Sequence, residues 1–168
     1  MTGISKVVFF RLTLFAMVAF ATPAIAATDW DRIANVKHAA EQIGDIQAQG
    51  GADQAFRFIV ACYKTHSLAA EYSRPFESCI AQDFMLSQAL VLIYDKIDPA
   101  VLTRMGAPTR DLLQQTLNQR VNSAYANYGI EPKEGLKLKA IVDEYGMPVF
   151  LKHVFPGKGS AAGSEAKP

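Results

Sequence analysis

SRPFESCIAQDFMLSQALVLIYDKI, residues 73–97, carries a helical period on two faces. Phe76, Ile80, Phe84, Ser87, Val91 and Tyr94 recur at spacings of three and four, so they share one helix face. Leu86, Leu90 and Ile93 cover a second face. A helix apolar around this much of its circumference belongs at the centre of a bundle. Ser73 supplies an N-cap, and Pro75 falls in the first turn, where a missing N–H does no harm. The segment predicts the core helix of an all-α domain.

The flanking sequence repeats the helical period, and β-like alternation is nearly absent. Upstream, Thr28 with Asp31 three residues later predicts a capping-box start. Trp30, Ile33, Val36, Ala40, Ile43 and Ile46 follow as one apolar stripe, which Gly50-Gly51 ends. A second helix runs from about Ala52 to Ser67, with Phe56, Ile59, Val60 and Tyr63 on one face and Cys62 beside it. Downstream, Asp98-Pro99 starts a short helix that Gly106 and Pro108 end. Thr109 caps a longer one bearing Leu113, Leu117, Val121, Ala124 and Tyr128, with Gly129 as its C′ residue. Pro132 opens a helix containing Leu136, Ala140 and Val142, closed by Gly146. Pro148 starts a last apolar segment, VFLKHVF (149–155), which Pro156-Gly157 stops. The pattern predicts one compact bundle of five or six helices over residues 27–156. Residues 157–168 (GKGSAAGSEAKP) are small and polar and are expected to be disordered.

The first 26 residues have the three parts of a cleavable export signal. Lys6 and Arg11 carry positive charge, and no acidic residue precedes Asp29. Leu12 to Ala21 (LTLFAMVAFA) is a continuous apolar run. Pro23 breaks it, and Ala24-Ile25-Ala26 offers the small-x-small pattern for cleavage before Ala27. A permanent span needs roughly 20 apolar residues, and Arg11 and Pro23 leave too few. The first cysteine is Cys62, which excludes a lipid-modified cysteine at a new N-terminus. The expected location is therefore periplasmic or secreted, with no stable membrane span after cleavage.

Cleavage removes Lys6 and Arg11 and no acid, taking the formal net charge from +1 to −1. A near-neutral domain has no basic stripe to displace counterions, so nucleic acid is excluded as a partner. The balance favours a partner recognised by shape or apolar contact.

Cys62 and Cys79 form an even pair in an exported chain, which reads first as one disulfide. Closing their 17-residue loop stabilises the fold by about 3 kcal/mol in the chain-entropy model. Cys62 with His66 and Cys79 with Asp83 are each spaced i, i+4, and the four residue types suit zinc. The two helices form an antiparallel hairpin, however. With the cysteines opposite one another, His66 and Asp83 are displaced in opposite directions, roughly 12 Å apart along the axis. One tetrahedral ion cannot hold all four, so neither metal nor cofactor is expected. No Cys-x-x-Cys or Cys-x-x-Cys-His motif suggests redox or haem chemistry.

His38 falls on the polar side of the first helix, His66 near a helix C-terminus where the dipole favours partial positive charge, and His153 inside the apolar terminal segment. Ser67, Ser73, Ser78, Ser87 and Ser123 read as caps or surface residues, without the sharp turn of a serine nucleophile. Asp143-Glu144 are adjacent, and adjacent positions on a helix do not face each other. Gly50-Gly51 lacks a phosphate-loop context. Tyr125 and Tyr128 read as the edge of the core.

Phe150, Leu151, Val154 and Phe155 compose a compact apolar face near the end of the chain. It either docks back to complete the core or stays exposed to bind a protein partner or a second copy of the chain. In the second case, removing residues 147–168 leaves a folded protein that has lost its partner. Three classes of function follow. The first is a non-catalytic interaction protein such as a chaperone, inhibitor or envelope-complex accessory. The second is a binder of a small apolar ligand, with Phe56, Tyr63, Phe76, Phe84 and Tyr94 lining an internal cavity. The least favoured is an enzyme, for which His66 is the first base to test.

Overall fold

The computed structural model describes residues 29–156. Residues 1–28, which include the segment expected to be an export signal, and the tail 157–168 lie outside the described residues. Six α-helices and one π turn follow in order: α1 (Arg32–His66), α2 (Arg74–Tyr94), α3 (Pro99–Arg104), α4 (Arg110–Asn127), α5 (Pro132–Ile141), the π turn (Val142–Gly146) and α6 (Met147–Val154). The all-α expectation holds, and no strand occurs among the described residues.

The expected first and second helices are two limbs of α1, joined without a loop at Gly51. There φ is +72° and ψ is −176°, a left-handed-side backbone that glycine adopts without steric penalty. The chain bends there and resumes its helix at once. The N-cap is Asp31 rather than Thr28: its Oδ1 accepts from the N–H groups of Ile33 and Ala34 at 2.9 and 3.0 Å. Trp30 accordingly precedes the helix instead of joining its stripe. Ser73, Asp98 and Thr109 cap α2, α3 and α4 through their side chains.

α2 is the core helix. Its length and apolarity would suffice to cross a membrane, yet most of that apolar stretch is buried by the surrounding helices. Phe76, Ile80, Met85 and Leu86 pack against Val36, Ala40, Ile43 and Ile59 of α1 in one continuous core. Leu117, Val121 and Tyr125 of α4 close a second side. On α5 the register differs from expectation. Leu138 is fully buried while Leu136 is exposed, because α5 turns Gly135 toward the ring of Tyr125. A Cβ on Gly135 would meet that ring at 2.9 Å.

Gly146 does not end a helix. The chain winds through the π turn directly into α6, and Gly146 lies where a Cβ would stand 2.8 Å from Val36 Cγ1 and 3.0 Å from Met85 Sδ. Glycine there lets the backbone press onto α1 and α2 together. Gly44 does the same from α1's side: a Cβ would fall 2.7 Å from His153 Cβ. With α6 this close, Phe150 enters the core completely, and His153 Nδ1 reaches Asp45 Oδ1 at 2.7 Å.

Candidate functional site

Two carboxylates on α2, six residues apart, lie at the centre of the molecule. The Glu77 side chain is fully buried. It accepts hydrogen bonds from Trp30 Nε1 at 2.9 Å, Arg32 Nε at 2.8 Å, Tyr72 OH at 3.2 Å and Asn35 Nδ2 at 3.4 Å. Arg32 in turn reaches Glu134 of α5 at 3.5 Å. Asp83 takes a bidentate pair from Arg120 of α4, with Nε at 2.8 Å and Nη2 at 2.7 Å. Tyr63 OH at 3.2 Å and Ser87 Oγ at 3.4 Å complete its shell. The Arg120 guanidinium also lies 5.7 Å above the Phe56 ring, a favourable cation–π placement.

Burial, reinforced by Asp83, holds the Tyr63 hydroxyl well above the usual phenol range. Burial does the same for Tyr72, so both remain donors. The hydrogen bonds that Arg120 donates to Asp83 hold its guanidinium further in the charged form. Each carboxylate is thus fully subscribed by fixed donors, and each ties α2 to a different neighbour. A buried acid left unpaired would be strongly destabilising. These acids act as clamps between helices.

The sulfurs of Cys62 and Cys79 are bonded, with the Cα atoms 5.7 Å apart, within the usual span of a disulfide. Asp83 pairs with Arg120 instead. His66 stays beside the sulfurs, and its carbonyl oxygen accepts from Tyr128 OH at 3.2 Å. His38 is exposed beside Glu41. Ser73 caps α2, Ser78 donates to Asn35 Oδ1 at 2.8 Å, and Asp143 accepts from Gln88 and Lys139 at the surface.

Of the aromatic residues expected to surround an internal ligand, Phe76 and Phe84 lie in the core, Tyr63 packs against it, Tyr94 is half-buried and Phe56 stands at the surface, 43% exposed. Phe76 meets Tyr63 edge-on at 5.8 Å and Tyr128 at 5.2 Å.

The four terminal residues divide. Phe150 is a core residue, which corrects its place in the expected partner surface. Leu151 and Val154 are half-buried, and Phe155 remains 38% exposed. Phe155 and Leu151 face the last turns of α2 across an open groove of about 390 Å³, lined also by Ala89, Leu92, Ile93, Lys96 and Ile97. Leu92 is 51% exposed. The groove is apolar apart from Lys96.

Sequence reasoning missed the Glu77 clamp. Its signal was present: Glu77 and Asp83 interrupt a helix otherwise apolar on most sides, and acids in such positions require buried partners. No protein-family model, no curated protein and no solved structure matches this chain.

Proposed function

We propose that this chain is an exported, non-catalytic interaction protein whose partner seats apolar side chains in the groove between the end of α2 and α6. The observation that carries this reading is the groove itself. Leu92 and Phe155, two large apolar side chains, stand exposed on either side of it. Exposed apolar surface gathered in one depression is a mark of a recognition site. A partner helix presenting two or three apolar residues at i, i+3, i+4 spacing fits such a groove, with an acidic residue placed to meet Lys96.

The remaining polar machinery favours binding over chemistry. Glu77 and Asp83 are saturated by donors within the fold, His153 is engaged by Asp45, and the cysteines are joined. Export is supported by the Lys6/Arg11 charge, the apolar run 12–21 and the Ala24-Ile25-Ala26 pattern. The disulfide agrees with an oxidising, extracytoplasmic location.

Site-specific photocrosslinking in the exporting cell tests the reading. A photoreactive residue replacing Leu92 is expected to give one discrete adduct, which disappears when Phe155→Asp is added. The same probe at His38 should give none. An adduct of twice the chain mass identifies a second copy as the occupant. No adduct from Leu92, or one indifferent to Phe155→Asp, removes the groove as the docking site.

A further inference from the structure

The sulfurs of Cys62 and Cys79 and a ring nitrogen of His66 all lie within 4.8 Å of one another. Cys62 and His66 are four apart on α1 and share a face, while Cys79 meets them from the second turn of α2. Two soft sulfurs and an imidazole are the donor set of three-ligand zinc sites that keep a fourth position for water. We infer that reduction of the disulfide converts this corner of the hairpin into a binding site for a thiophilic metal ion such as zinc.

The geometry needs little change. The Cα separation of 5.7 Å leaves room for two cysteine side chains to turn toward a shared ion. At about 2.3 Å from the metal, tetrahedrally placed sulfurs stand about 3.8 Å apart, which rotation about the Cα–Cβ bonds supplies. Cys62 and His66 are half-buried and leave one side open to water, whereas Cys79 is fully buried. His66 is the last residue of α1, so the negative end of the helix dipole also favours a cation there. Asp83, held by Arg120 and Tyr63, takes no part. The site therefore has three protein ligands.

The reductant is a dithiol. Its thiolate attacks Cys62, the accessible sulfur. The protein's S–S bond breaks, and Cys79 leaves with the electron pair and takes a proton. The reductant's second thiol then resolves the mixed disulfide, freeing the Cys62 thiol and leaving the reductant as a disulfide. A divalent ion binding both sulfurs releases their two protons. Only the reduced form holds the ion, so metal raises the midpoint potential of the cysteine pair. The rise is about 30 mV for each tenfold excess of metal over its dissociation constant. None of this depends on the groove.

Anaerobic titration with cobalt(II) of the exported chain, reduced by a phosphine, tests the site. Thiolate-to-cobalt charge-transfer absorption is expected to saturate at one equivalent and to bleach on addition of zinc. The disulfide form should show none. His66→Ala should weaken cobalt at least tenfold, and His66→Cys should restore it. Should reduction alone unfold the chain, zinc is expected to return the helical circular dichroism. No charge-transfer band, equal affinity in His66→Ala, equal binding by the disulfide form, or failure of zinc to refold an unfolded reduced chain would each overturn the inference.

Discussion

The two halves of α2 have opposite surroundings, and the more apolar one is the less covered: seven of the twelve residues from Phe76 to Ser87 are apolar, against all five from Leu90 to Tyr94. From Phe76 to Ser87, nearly every side chain is buried, including Glu77 and Asp83. From Leu90 to Tyr94, Leu92 is exposed and its neighbours are only half-covered. The N-terminal half has α1 on one side, α4 on another, a disulfide to the end of α1 and two ion-pair clamps. The C-terminal half faces Leu151 and Phe155 across the groove, and only its Leu90 edge is packed against the core among the residues from 90 to 94. Apolar composition therefore does not distinguish the core from the proposed docking surface. The charged residues do, because a buried acid commits the helix to partners that hold it.

The largest effect that can break this comparison lies in α6. Phe150 is fully buried, so Phe150→Ala should cost about 3–5 kcal/mol as a cavity opens, seen as a lowered urea midpoint. Removing residues 147–168 should accordingly unfold the chain, contrary to what an exposed terminal segment would allow. A truncated protein with intact helices would return α6 to the surface.

Next comes the buried half of α2. Glu77→Ala leaves Arg32 facing an emptied, desolvated site, and breaking such a pair destabilises by about 3 kcal/mol. Arg32 keeps some access to water and to Glu134, which places the value at the low end. Denaturant unfolding with an unchanged m-value should show it. A loss under about 1 kcal/mol would mean that Glu77 is not an anchor of the fold.

Much of this contrast was legible in the sequence. The spacing from Phe76 to Tyr94 marks α2 as central, and Ser73 and Thr109 cap where their side chains predict. The cysteine pairing follows from the even count and the expectation of export. What was not legible depends on residues distant in sequence. Glu77 is satisfied by Trp30 and Arg32, and Asp83 by Arg120, and no local period announces such pairings. The partition of the terminal segment has the same origin. Phe150 points inward because Gly44 and Gly146 allow α6 to close on α1 and α2, a condition set about a hundred residues away as well as next door. Leu136 misled for a related reason: Gly135 and Leu138 face the core, turning Leu136 out.

Leu92→Asp, read for stability and for the partner crosslink together, separates the two halves of α2. An exposed leucine on a well-packed helix should tolerate the change within about 0.5 kcal/mol, leaving the urea midpoint in place. The adduct formed from a second photoreactive probe, at Phe155, should vanish. A protein that stays folded and loses its partner is the predicted result. A variant destabilised as much as Glu77→Ala, or one that keeps the adduct, would show that the end of α2 is core or bystander and would contradict the division of α2 into anchor and docking surface.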